Sequence, residues 1–401
     1  MSLLKDKMLK YDAARKTRAA GIYPYFREIQ SDQDTEVVIS GKKVLMFGSN
    51  AYLGLTNHPK VKEAAIEAIK KYGTGMAGSR FLNGTLDIHI ELEKKLAKFV
   101  GKEDALVYST GFNVNQGVVG CVTGREDYIL WDEFDHASII EGNRASFSTK
   151  LKFRHNDMDS LEKQLQKCEA DKVKLIVVDS VFSMEGDVIN LPEVVRLSKK
   201  YNANIMIDEA HGLGVMGHNY SGKGVHDYYG LTDDMDMIMG TFSKSLASIG
   251  GFIASDEPTI DFLKHNSRPY IFSASITPSA TAAASAALDI MIAEPERIKN
   301  LWDLTHYALD GFRQMGCELG HTSTPIIPLF IRDNDKTFII TKKLFEEGIF
   351  VNPVVSPAVA PADTLIRFSL MATHTKEQID IAFEKIEKVF KEMGVFSHVQ
   401  A

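Results

Sequence analysis

The chain has 401 residues, of which 44% are hydrophobic and 25% charged, and a formal net charge of −7. Length and balance are those of a soluble globular protein of two or more domains, and the interspersed, slightly acidic charge lacks the basic face that nucleic-acid binding requires. Cys121, Cys168 and Cys317 stand far apart with no paired spacing, which argues against a disulfide framework or a metal site and fits a reducing, cytoplasmic compartment.

In chain order, Met1 to Ala20 is rich in Lys and Arg and reads as one amphipathic helix without the apolar core of a secretory leader. Glu36–Leu45 reads as a hairpin turning at Gly41. These segments make an N-terminal arm over residues 1–45. From 46 to 285, short apolar strands alternate with helical segments, the clearest being Ala105–Tyr108, Tyr128–Trp131, Leu175–Val178, Asn204–Ile207 and Met237–Met239. That alternation predicts an α/β domain with a mostly parallel sheet sandwiched by helices. A long helix near Pro278–Glu294 leads into a smaller C-terminal α+β domain over 286–401, with strands at Ile326–Ile331 and Leu365–Ser369 and helices at Thr337–Glu347 and Lys376–Met393. No run approaches the roughly 18 apolar residues of a membrane span, so membrane contact is at most peripheral.

In parallel sheets ligands sit beyond the carboxyl ends of the strands. Asp132, Asp179, Asp208 and Thr241 stand at such ends. Lys244 leaves an apolar strand between the hydroxyls of Thr241 and Ser243 and the pair Gly250-Gly251. A lysine there is costly to desolvate unless neutralised, paired or used covalently. Asp208 ends the preceding strand, and His211 follows three residues later. An amine for a Schiff base, a carboxylate for a pyridinium nitrogen and hydroxyls for a phosphate are what pyridoxal phosphate asks of a protein. Taken alone, Asp208 equally suits a helix cap. Ser109-Thr-Gly-Phe-Asn113 follows a strand and opens a helix, so the N–H groups of Gly111 and Phe112 suit a phosphate, although a plain cap explains the pattern as well. Arg367, a charge inside an apolar strand, matches a carboxylate ligand or a structural salt bridge. Asn50 ends another apolar strand and suits the same carboxylate pocket. No GxGxxG joins a first strand to a helix, which disfavours a dinucleotide-binding dehydrogenase.

Together Asn50-Ala-Tyr-Leu-Gly-Leu55, Gly73-Thr-Gly-Met-Ala-Gly-Ser-Arg80, Asp135-His-Ala-Ser-Ile-Ile140, Ser183-Met-Glu-Gly-Asp187, Asp208-Glu-Ala-His211 and Thr241-Phe-Ser-Lys244 resemble the α-oxoamine synthase family of fold-type I pyridoxal phosphate enzymes over nearly the whole chain. The resemblance implies a decarboxylating condensation of an amino acid with an acyl-CoA. It implies Lys244 as the Schiff-base lysine, Asp208 as the ring-nitrogen partner and His211 as the phenolic-oxygen partner. His136 would stack on the ring, Thr241 and Ser243 would hold the phosphate, and Arg367 would anchor the substrate carboxylate. Ser273 would be a phosphate ligand donated by a neighbouring subunit, which makes the active unit a homodimer with shared sites. Gly78–Thr85, Gly240–Ser248 and Asn352–Val359 look most like the bacterial serine palmitoyltransferase branch, whose substrates are L-serine and a long-chain acyl-CoA. Glycine C-acetyltransferase and the other branches are the alternatives.

Overall fold

The computed structural model describes residues 2–356 and 358–396. Met1 of the expected first helix and Pro357 of the segment 352–359 therefore lie outside the described residues. Instead of one N-terminal helix there are two short ones, Leu3–Leu9 and Ala13–Ala19, neither with a buried residue. With no packed face to hold a long helix together, the chain breaks before Asp12, and the Arg15 guanidinium takes the freed Leu9 carbonyl. Strands β1 (Glu36–Ile39) and β2 (Lys42–Met46) form an antiparallel hairpin, with Ser40 and Gly41 both at positive φ as a tight two-residue turn demands.

Seven strands build the central sheet: β3 (Asp104–Tyr108), β4 (Tyr128–Asp132), β5 (Thr149–Phe153), β6 (Lys174–Asp179), β7 (Asn204–Asp208), β8 (Met237–Thr241) and β9 (Gly251–Ser255), in the order β3-β9-β8-β7-β6-β4-β5. The run β8-β7-β6-β4-β5 is parallel, and β9 is antiparallel to both of its neighbours. All six residues of β6 are buried, as a strand covered on both faces requires. Its side chains alternate between layers: Ile176 and Val178 join one hydrophobic cluster, and Leu175 and Val177 join the other. The architecture is thus the expected α/β sandwich. Two strands escape the sequence pattern for local reasons. β5 is an edge strand with two lysines, and β9 is a short run opening on glycine.

Helix Pro278–Ala293 is continuous and packs against Pro59–Tyr72, and Pro295–Gln314 follows it directly. Beyond it, β10 (Ile326–Phe330), β11 (Ile349–Phe350), β12 (Asn352–Val354) and β13 (Leu365–Ser369) complete two small sheets. One has the order β10-β13-β12. In the other, β11 pairs in parallel with β2, so the N-terminal hairpin is continued by the C-terminal part of the chain. That pairing brings the loop after β2 close to β13. Among the described residues no helix is long and apolar enough to cross a membrane.

Candidate active site

The carboxyl ends of β6, β7 and β8 open onto a cavity of about 320 Å³ lined by, among others, Gly111, Phe112, His136, Asp179, Asp208, His211, Thr241, Ser243 and Lys244. This lies at the lower end of the size range of small-molecule sites, about 300–1,000 Å³. The sheet register explains the convergence: Asp179 pairs with Asp208, and Asp208 with Met239, so β6 and β7 end level and β8 runs two residues further. Thr241 follows Met239 by two residues, and its hydroxyl lies 3.0 Å from that of Ser243 and donates to the Gly250 carbonyl at 3.1 Å. The loop from Phe242 to Gly250 thereby folds back on itself and turns Lys244 inward. Two glycines let the start of the helix Gly111–Val122 pack closely on β8 and β9. A Cβ on Gly111 would lie 2.7 Å from the Thr241 hydroxyl, and one on Gly251 would lie 2.7 Å from the Gly111 Cα.

The Lys244 amine makes no hydrogen bond or salt bridge among the described residues, although its carbonyl accepts from the Ala247 N–H. Burial pushes its amine down to about 8, and the Arg367 charge acts in the same direction against the pull of Asp208 and Asp179. Asp208 is buried and accepts from the Ala210 N–H at 2.8 Å and from Asn115 Nδ2 at 2.7 Å. Burial holds His136 and His211 below the usual imidazole range, His211 well below it. Asp179 accepts from the His136 N–H at 2.9 Å, and burial together with the nearby Asp208 raises its carboxyl well above the ordinary range.

A second cluster adjoins the cavity. Arg367, only 4% exposed, donates to the Ser183 carbonyl at 2.6 Å, to Ser369 Oγ at 2.6 Å and to the Tyr52 hydroxyl at 3.2 Å. No carboxylate pairs with it among the described residues, so the structural salt bridge that the sequence left open does not exist there. Tyr52 also lies 2.6 Å from His211 Nδ1 and 3.5 Å from Asn50 Oδ1, which connects the two clusters.

Ser273 is the exception. It lies half-buried between exposed Phe272 and Ala274, on a loop that does not line the cavity of its own chain. Several contributors went unassigned from sequence. Tyr52 and Ser138 sit inside quoted motifs, Asp179 was visible only as a strand end, and Asn115 is one of three amides at the start of the helix Gly111–Val122, with nothing local to single it out. Beneath the site, His155 bridges Asp132 at 3.0 Å and Asp187 at 2.9 Å and stacks on Phe134. Burial opposes its charge, but the two carboxylates outweigh it and raise the imidazole to about 10.

A family model described as aminotransferase class I and II matches residues 42–386. Serine palmitoyltransferase of Bacteroides thetaiotaomicron is 63% identical over 395 residues, covering 98% of this chain and 100% of that protein. The 8-amino-7-oxononanoate synthase of Petrotoga mobilis is 45% identical over 382 residues, covering 95% and 97%. Among solved structures, a variant of serine palmitoyltransferase from S. paucimobilis with a bound PLP–myriocin aldimine superposes with a TM-score of 0.95 at 33% identity, covering 98% of this chain and 100% of that one. The chain belongs to the aminotransferase class I and II family, with the fold-type I architecture of its pyridoxal phosphate transferases.

Proposed function

We propose that the protein is a pyridoxal phosphate-dependent acyltransferase that condenses L-serine with palmitoyl-CoA to give 3-ketodihydrosphingosine, CoA and CO2. The observation that carries the chemistry is the unpaired, half-buried Lys244 amine facing buried Asp208 in a cavity rimmed by hydroxyls. The higher identity to serine palmitoyltransferase, 63% against 45% for the 8-amino-7-oxononanoate synthase, carries the choice of substrates.

The residues present fit the cofactor. Thr241, Ser243 and the N–H groups at the start of the helix Gly111–Val122 offer a phosphate its donors, where the helix N-terminus also favours negative charge. Asp208 would hold the ring nitrogen, His211 the phenolic oxygen, and His136 would lie against the ring. When bound, the cofactor supplies an electron sink for the pair released as bonds at the amino-acid Cα break.

The chain's own groups do the rest. Lys244, with its amine lowered to about 8, is neutral in a useful fraction near neutral pH and can accept the Cα proton. Arg367, with no carboxylate of its own, grips the carboxylate of serine, and Asn50 borders the same pocket. Ser273 serves the site of a second copy of the chain, which makes the active unit a homodimer. The reading places the enzyme in the cytoplasm.

The test crosses L-serine and glycine against palmitoyl-CoA and acetyl-CoA and follows CoA release. Turnover confined to serine with the long-chain thioester is the expected result. Turnover with glycine and acetyl-CoA would move the assignment to glycine C-acetyltransferase.

A further inference from the structure

Asn115 is fully buried in the helix Gly111–Val122, among Val114, Val118 and Val119. Its Nδ2 reaches acceptors on two other elements, Asp208 Oδ2 at 2.7 Å and Ser138 Oγ at 2.9 Å. Ser138 Oγ lies 2.6 Å from His136 Nδ1. The Asn115 Oδ1 atom has no partner, so the amide is held in an apolar setting for its N–H groups alone.

The direction of each proton in this chain follows from Asp208. The Asn115 amide nitrogen, which only donates, faces Asp208 Oδ2, and its second N–H points at Ser138. Ser138, having accepted there, donates its own proton to His136 Nδ1. The same ring nitrogen faces the Ser138 backbone N–H at 3.3 Å. With two donors aimed at Nδ1, His136 is neutral and carries its hydrogen on Nε2.

We infer that Asn115 and Ser138 are positioning residues that tie the Asp208 carboxylate to the His136 imidazole, so that Asp208 dictates the tautomer and tilt of His136. The inference rests on the roles proposed above for Asp208 and His136. It couples two groups that sequence places 72 positions apart, through fully buried Asn115 and through Ser138 at the cavity wall.

Two variants test it. Asn115→Asp is close to isosteric and keeps the packing, but it replaces the donor with a second carboxylate. Ser138→Ala removes the middle of the chain and decides the matter should the first variant fail to fold. Cofactor-free wild type and variants are titrated with pyridoxal phosphate by absorbance, and the His136 tautomer is read from histidine nitrogen-15 shifts. We expect cofactor binding weakened about tenfold or more, as for other groups that orient a ligand's partners. We also expect a shifted pH titration of the cofactor's long-wavelength band and a mixed His136 tautomer in Ser138→Ala. The double variant is expected to be little worse than Asn115→Asp alone, because both act on one chain. Wild-type binding, an unmoved titration and a retained Nε2–H tautomer in the variants would overturn the inference. If wild type itself binds no pyridoxal phosphate, the reading of the site fails, and the His136 tautomer in the cofactor-free variants still decides the inference.

Discussion

Tyr52 and His211, 159 positions apart, share a 2.6 Å hydrogen bond, and the same phenol receives Arg367 at 3.2 Å. Arg367 can only donate, so the phenol accepts from it and keeps its own proton for His211 Nδ1. That leaves Nε2–H of His211 as the donor toward the cavity. Tyr52→Phe removes both bonds and leaves buried His211 Nδ1 without its partner, while Arg367 keeps Ser183 and Ser369, a loss of about 1–3 kcal/mol. We expect the variant to bind cofactor more weakly and to need roughly tenfold more serine for half-saturation, both measurable by absorbance titration.

On the proposed reading, Arg367 serves substrate binding and not cofactor binding. Arg367→Lys keeps a positive charge but loses the planar fork that grips a carboxylate at two points. The KM for serine should rise at least about tenfold while cofactor occupancy, read by absorbance, stays near wild type. An unchanged serine KM would remove Arg367 from substrate binding.

Lys244 makes cofactor capture pH-dependent. Its amine sits near 8 rather than at the ordinary 10.5, and only the neutral amine attacks a carbonyl. In stopped-flow mixing of cofactor-free protein with pyridoxal phosphate, the capture rate should climb with pH and level off above about 8. A rate still rising steeply at pH 10 would put the amine back in its normal range. The stability effect has a definite sign. Between about pH 8 and 10.5 the folded protein binds fewer protons at this group than the unfolded chain, so the cofactor-free fold gains stability as pH rises through that window.

His155 predicts the opposite slope. Its imidazole is raised from the ordinary 6.5 to about 10, so its contribution is complete below about 6.5 and is lost as pH rises through about 10. His155→Gln strands Asp132 and Asp187 without a cation, at a cost of about 2–4 kcal/mol. Urea unfolding of both proteins from pH 6 to 10 should show the gap narrowing as pH rises. A constant gap would mean that packing on Phe134, not charge, is what His155 supplies.

Ser273 calls for a complementation experiment, since its loop does not reach its own cavity and Phe272 beside it is 77% exposed. Lys244→Ala and Ser273→Ala homodimers are each expected to be impaired. Mixed dimers should regain one intact site per pair, because both defects then fall in the same shared site. Mixtures that recover nothing after subunit exchange would argue that Ser273 acts within its own chain.

Much of this protein is decided locally. Short unbroken apolar runs such as Leu175–Val178, bounded by polar residues, suit strands buried on both faces, and alternation with helices makes their sheet mostly parallel. A lysine set between hydroxyls and glycines at the end of such a strand, and Asp208 three residues before His211, are local patterns from which the proposed cofactor site is read. Tertiary structure decided what local pattern cannot carry. β9 lies antiparallel between β3 and β8, and β11 extends the N-terminal hairpin; both are pairings of short segments whose register depends on distant partners. The N-terminal helix divides in two because helical periodicity alone, without a packed face, does not hold twenty residues together. Above all, Tyr52, Asn115 and Ser138 acquire meaning only through the atoms they meet. A buried hydrogen bond is a relation between two positions, and the sequence of one segment does not contain its partner.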